Sequence, residues 1–241
     1  MNLVLDIGNT LTKAAWFKNG DITDTMNIQN SGIADVEMLL SFREVNHVIL
    51  SSVNNINSYE IKDHFKKVVP FIILDHQTLL PIIVRYSTPE TLGYDRIAAA
   101  VGAQVMFPGK NVLVIDTGTA ITIDFISSGS EFTGGNISPG LQTRFRSLHE
   151  FTGRLPLVEK DTGYPEFGTS TNTAIAAGVQ KGIEYELNGY IDDFRLKYPQ
   201  CECIITGGDA LFFVSKLKSP IFAEPELVLK GLNAILEFNI R

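Results

Sequence analysis

The chain has 241 residues, 44% of them hydrophobic and 20% charged, which is the balance of a folded globular protein and excludes a disordered one. That length suits one large domain or two of ordinary size and buries a core without disulfide support. The net charge of −7 speaks against a general nucleic-acid binder, and no run approaches the roughly 20 apolar residues of a membrane span.

The first elements are strands. Residues 1–7 are β-rich, residues 12–17 continue as a second strand, and Asn19-Gly20 is a strong turn pair before a third strand at 21–26. Asp6 interrupts the first apolar run and no basic segment precedes it, so a signal peptide is not expected. Residues 33–42 have helical spacing at Val36, Leu39 and Leu40, and Val48-Ile49-Leu50 is a short buried strand ending in Ser51-Ser52-Val53. A helix is predicted over 58–68 with Ser58 at its N-cap, then a strand over 71–74. Residues 92–106 form a helix with Ala98 and Ala103 beside Ile97 and Val101, suited to tight packing. Phe107-Pro108-Gly109-Lys110 ends it and places a domain boundary there, giving domains 1–107 and 108–241.

The second half restarts with strand, turn and strand, at 111–115 and 120–126. Residues 127–129 turn the chain back, and 132–137 pair with the strand before them. Residues 134–140 form a glycine-rich loop, which alone carries little meaning. A long helix runs from about 172 to 196 through Ile175, Val179, Ile183, Leu187, Ile191 and Phe194. A strand at 203–206 ends in Gly207-Gly208, and a helix over 227–238 follows. Cys201 and Cys203 have no histidine cluster to complete a metal site and fit reduced thiols of a cytosolic protein.

The informative feature is an internal repeat. "LVLDIGNT" at residues 3–10 returns as "LVIDTGTA" at 113–120. With Asp6 on Asp116, Gly8 meets Gly118, Leu11 meets Ile121 and Thr12 meets Thr122. A duplicated, hairpin-led α/β domain leaves a cleft between its halves, and each half offers that cleft one acidic turn.

Such turns expose backbone N–H groups, and glycine lets the backbone approach a phosphate. Asn9, Thr10, Thr12, Thr117 and Thr119 add donors, and Lys13 adds a positive charge. An acid at the mouth of a phosphate turn repels its ligand unless a cation stands between them, so Asp6 and Asp116 are candidate cation ligands. In either turn alone the acid is equally a hairpin cap; the matching pair favours the cation. No Walker or dinucleotide glycine pattern is present. Asp95, in Gly93-Tyr94-Asp95-Arg96 at a helix start, is either a cap or a base for phosphoryl transfer to an alcohol, and Arg96 can fork onto a carboxylate or phosphate. Gly207-Gly208-Asp209 at a strand end can admit a flat base.

The acidic turns resemble the phosphate loops of the actin, sugar-kinase and heat-shock ATPase superfamily, and within it the type III pantothenate kinase family. The ordered matches are D-x-G-N-T at residues 6–10, Y-x-x-P at 86–89, G-x-D-R at 93–96, D-x-G-T-A at 116–120, G-G-x-I-x-P-G at 134–140, and Thr171 at a helix start. The resemblance implies two duplicated actin-like, ribonuclease H-like α/β domains with an interdomain active-site cleft. It implies ATP-dependent phosphorylation of pantothenate, the first step of coenzyme A biosynthesis, by a cytoplasmic homodimer with no nucleic-acid or membrane partner. Asp6, Ile7, Gly8, Asn9, Thr10, Leu11, Thr12 and Lys13 would hold ATP phosphates and Mg2+, with Thr119, Gly207 and Gly208 also toward ATP. Asp95 would be the base. Tyr86, Gly93, Tyr94, Asp95 and Arg96 would line the pantothenate pocket, and Thr171 would reach it from a neighbouring subunit. Asp116 would hold a monovalent cation, K+ or NH4+. Tyr94 departs from the pattern, where smaller residues are common. Ala174, Gly178 and Gly182 form a small-residue stripe suited either to a dimer contact or to packing on the chain's own sheet. Two rivals stand beside this reading: a kinase for another small acceptor, and a nucleotide-binding regulator without turnover.

Overall fold

The computed structural model describes residues 1–8, 11–29, 32–52 and 58–240. Asn9, Thr10, Val53 and the side chain of Ser58, with its expected capping role, lie outside the described residues. The chain sorts into two compact units, residues 1–109 with 129–133 and 226–241, and residues 110–128 with 134–225.

The first unit opens with β1 (Asn2–Ile7), β2 (Thr12–Lys18) and β3 (Asp21–Ile28), an antiparallel meander. Asn19 and Gly20 both take positive φ, 55° and 89°, as a two-residue hairpin turn requires. β4 (His47–Ser52) and β5 (Phe71–Ile73) extend the sheet in parallel, giving the order β3-β2-β1-β4-β5. Leu3, Leu5 and Ile7 alternate onto one face with Trp16, Val48 and Leu50, and pack on Val36 and Leu39 of α1 (Ile33–Ser41) and on Ile61 and Phe65 of α2 (Ser58–Phe65). The expected extension of α2 to residue 68 does not form; a turn leads into Pro70 instead.

Val4, Ala15 and Ile49, on the opposite face, are also fully buried. On this unit α3 (Tyr94–Met106) crosses α7 (Leu227–Asn239) at backbone contact. A Cβ at Gly102 would collide with the Leu227 carbonyl, and one at Gly231 with the Ala98 carbonyl. This close crossing returns the C-terminal helix to the first unit, so the compact units do not follow the sequence break at Phe107 and Pro108. A short strand β6 (Ile83–Val84) pairs with residues 131–132 within the same unit.

The second unit repeats the plan. β7 (Val112–Thr117), β8 (Ala120–Ile126), β9 (Glu131–Pro139), β10 (Glu202–Thr206) and β11 (Phe222–Ala223) stand in the order β9-β8-β7-β10-β11, with β7–β8 antiparallel and β10 parallel to both neighbours. The expected strand over 132–137 forms as part of β9, which runs on to Pro139, so 134–139 are strand and the glycine-rich loop expected at 134–140 is not there. Glycine serves close approach here, because a Cβ at Gly135 would collide with the Ile123 carbonyl and Asp124. Three helices complete the unit: α4 (Leu141–Glu150), α5 (Thr171–Lys197) and the short α6 (Ala210–Val214). Ile175, Val179, Ile183, Leu187 and Ile191 of α5 form one buried row against Leu113, Ile115 and Ile205, as the spacing predicts.

Candidate functional site

Asp6 is the last acid of β1 and stands between two neighbours in register, Lys13 on β2 and Ser51 on β4. Beyond it the turn is closed by Gly8 N–H donating to Leu11 O at 3.1 Å. Ile7 and Thr12 are buried, and Lys13 is half-buried. The Asp6 carboxyl is raised to about 6, first by burial and then by the nearby Asp95 charge, against the lowering influence of Lys13 and Ser51. Such a carboxylate is short of positive charge.

Asp95 lies in the first turn of α3, where helix polarity favours its charge. Its Oδ1 accepts from Arg96 N–H at 2.8 Å. The carboxylate folds back so closely that a Cβ at Gly93 would collide with it, which explains glycine at the N-cap. The buried Arg96 guanidinium lies 5.6 Å from the ring centroids of both Tyr86 and Phe132, a cation–π clamp that orients it. Tyr94 OH and His76 Nε2 are hydrogen-bonded at 3.1 Å. In this unit Asp6, Lys13, Tyr86, Gly93, Tyr94, Asp95 and Arg96 therefore belong to one local arrangement around two acids close enough to repel each other.

The second acidic turn is built differently. Asp116 pairs in register with Thr122 and Thr206. Thr117 faces Ile121 across the turn, whereas Ile7 faces Thr12. The second turn is one residue shorter, and the ungapped match of Leu11 with Ile121 and Thr12 with Thr122 slips there: Thr122 occupies the place of Lys13. Thr119 O accepts from Gly140 N–H at 3.0 Å and from Thr143 Oγ1 at 2.7 Å. Thr117 Oγ1 donates to Thr206 O at 2.9 Å, and Asp209 N–H donates to Thr117 O at 3.0 Å. Gly207 has φ +93°, and a Cβ there would collide with Asp116 Oδ1 and with the Thr117 backbone. Gly208 faces open space. Lys160 Nζ holds Asp209 Oδ1 at 2.8 Å. Thr143, Lys160 and His76 carry no motif; only contact reveals them.

Thr171 is the first residue of α5, after Ser170, whose hydroxyl accepts from Thr173 N–H. It lines a cavity of about 630 Å³ between α4 and α5 with Arg144, Leu148, Leu155, Ala174 and Gly178, and none of the other predicted site residues line that cavity. Arg144 pairs with Glu186 and donates to Pro139 O at 2.7 Å, tying this groove to the strand leading into Gly140.

Among the described residues no group of three or more His, Cys, Asp or Glu side chains forms a metal cage. A single half-buried carboxylate such as Asp6 fits instead a hard cation that arrives on phosphate oxygens.

Residues 2–193 match the family model described as type III pantothenate kinase. The type III pantothenate kinase of Bacteroides fragilis is 48% identical over 239 residues, covering 99% of this chain and 98% of its own. A Campylobacter jejuni structure described as a conserved Baf family transcriptional activator is 28% identical, with TM-score 0.63 and 98% of each chain covered. A ROK family glucokinase from Streptomyces griseus, solved with glucose and AMPPNP, shares the fold at TM-score 0.55 and 12% identity, covering 97% of this chain and 98% of its own. The fold is thus the duplicated actin-like α/β fold of sugar kinases, and the chain belongs to the type III pantothenate kinase family.

Proposed function

We propose that this chain transfers the γ-phosphoryl group of ATP to the primary hydroxyl of pantothenate, giving 4′-phosphopantothenate and ADP, with Asp95 as the base. The transfer is the activity of its family and the first step of coenzyme A biosynthesis. One observation carries the residue assignment: Asp95 sits on a helix start, held at Oδ1, within electrostatic reach of Asp6. The hydroxyl oxygen forms a bond to phosphorus, the bond from phosphorus to the ADP oxygen breaks, and the hydroxyl proton passes to the Asp95 carboxylate. Arg96, clamped by Tyr86 and Phe132, binds the acceptor beside that carboxylate, and Gly93 and Tyr94 line the same place. Positioning and electrostatics supply most of the rate in such transfers.

The residues of the first acidic turn, including Asp6 and Lys13, bind ATP phosphates, and Asp6 would hold Mg2+, which supplies neutralising charge on those phosphates. Thr119, Gly207 and Gly208 belong to the nucleotide side. Asp116 would hold K+ or NH4+. Thr171 reaches the acceptor of a second copy: Ala174 and Gly178 are exposed beside the α4–α5 cavity, which supports a homodimer through this face. We read 1–107 and 108–241 as the two halves of the duplicated sequence, with 129–133 and 226–241 packing on the first compact unit. Among the described residues no helix is long and apolar enough to cross a membrane. Both cysteines are free thiols, and burial pushes Cys203 up to about 12. ADP release measured with and without pantothenate tests the function. Pantothenate-dependent release is expected, and release indifferent to pantothenate would overturn it.

A further inference from the structure

Among the described residues, four buried side-chain polar atoms lack a hydrogen-bond partner: Trp16 Nε1, Ser51 Oγ, Gln104 Oε1 and Thr206 Oγ1. Two of these occupy the same place in the two halves of the duplication. Ser51 ends β4 and is in register with Asp6; Thr206 ends β10 and is in register with Asp116. Register partners on adjacent parallel strands carry their side chains on the same face, so each hydroxyl shares a face with its acid. Both residues are almost wholly inaccessible, at 0% and 1%.

A buried hydroxyl without a partner is costly, and native proteins retain one where a water, ion or ligand satisfies it. Its recurrence at one register position, beside the one acid each half keeps, ties it to what the acids hold. Ser51 is near enough to ease the charge on Asp6, but its Oγ forms no bond of acceptable geometry. Hard cations take oxygen donors and keep part of their water shell, and groups behind the first ligand orient it.

We propose that Ser51 and Thr206 are equivalent positioning residues: each hydroxyl binds the hydration shell of the cation brought to its acid, Mg2+ with phosphate at Asp6 and a monovalent ion at Asp116. The proposal rests on the cation roles assigned to Asp6 and Asp116 above. It explains why the position is a hydroxyl in both halves while the opposite neighbour differs, Lys13 in one and Thr122 in the other.

The proposal has a signature that an ordinary structural hydroxyl lacks. Removing a hydroxyl with no partner relieves the ion-free protein while weakening the ion-loaded one. Thr206→Val, close to isosteric, is expected to raise the melting temperature in ion-free buffer by about 2–4 °C. The stabilisation that potassium chloride gives over sodium chloride at equal ionic strength should vanish in it, and Thr206→Ser should restore it. Ser51→Ala also loses the hydroxyl that eases the Asp6 charge, so its test is read from ligand affinity. Its affinity for AMPPNP, titrated directly in magnesium chloride, should fall roughly ten-fold, while affinity without magnesium stays the same. If both variants respond to their ions as the parent does, the proposal fails and the roles of Asp6 and Asp116 survive. If the parent itself responds to neither potassium nor magnesium with AMPPNP, those roles fail and the proposal falls with them. A variant that simply melts lower, with ion responses intact, also overturns it.

Discussion

The two acidic turns have the same ancestry in pattern and opposite construction. The turn after Asp6 has one described backbone bond across it, from Gly8 to Leu11, and its acid is flanked by a lysine and repelled by Asp95. The turn after Asp116 is fastened from three sides, by Gly140 and Thr143 on Thr119, by Thr206 on Thr117, and by Asp209 on Thr117. Among the described residues, the first turn is marked by its electrostatics and the second by its hydrogen-bonded frame. Duplication supplied one hairpin twice, and the neighbours then divided the labour.

If the first unit holds the chemistry, the largest effect should come from its second acid. Asp95→Asn keeps size and the contact with Arg96 N–H but cannot take a proton. Turnover is expected to fall by about 10²–10⁴-fold with AMPPNP affinity retained, measured by ADP release and by titration. Turnover within a few-fold of the parent would move the base elsewhere.

Next comes a test of the rigid frame. Gly207→Ala puts a methyl group against Asp116 Oδ1 at a positive φ, so it should lower stability by about 2–3 kcal/mol and impair nucleotide use. Gly208→Ala enters open space and should melt like the parent. Equal melting temperatures for the two variants would contradict the close seat of Gly207 on the acid.

The strands and the duplication were legible because hairpin pairs and alternation are local signals: Asn19-Gly20, and apolar runs ending in an acid. The shorter second turn was not legible, because Leu11 with Ile121 and Thr12 with Thr122 match in residue type while register places Ile121 opposite Thr117. Gly102 and Gly231 look like defects inside helices until the helices are seen to touch there. For the same reason the glycines of 134–140 suggest a loop where β9 runs: glycine marks close approach as well as bending. In α4 only Leu141 and Phe145 are buried, too sparse a pattern among polar neighbours to declare a helix. Of the candidate site, the acids and Arg96 stand out by motif. Ser51 and Thr206 do not, since a hydroxyl at a strand end means nothing until its register partner is known.

The electrostatic side of the comparison has a pH test of known sign. Asp6 rises from an ordinary 3.8 to about 6 on folding, so the folded chain binds this proton more tightly than the unfolded one. Stability from this group is full below pH 3.8 and is lost as pH climbs through about 6, a loss of about 3 kcal/mol. Asp6→Asn removes that dependence. Its melting advantage over the parent should grow between pH 4 and 6 and then level, while its affinity for magnesium with AMPPNP collapses. In the parent, magnesium-dependent AMPPNP binding should weaken as pH falls below about 6, because the protonated carboxyl attracts no cation. A variant no more stable than the parent at pH 8 would mean the charge is well satisfied without a ligand.

The smallest expected effect tests what rigidity is for. Thr119 O already accepts two hydrogen bonds, which occupy both lone pairs, so it supports the turn. A frame held at fixed spacing discriminates ions by size, whereas a loose one accommodates either. Exchanging potassium for sodium should therefore lower the rate several-fold in the parent. Thr143→Ala removes one of the two bonds on Thr119 O and should flatten that ratio without abolishing turnover. A parent indifferent to the ion, or a Thr143→Ala variant with the parent's ratio, would separate the rigidity of this turn from any choice among cations.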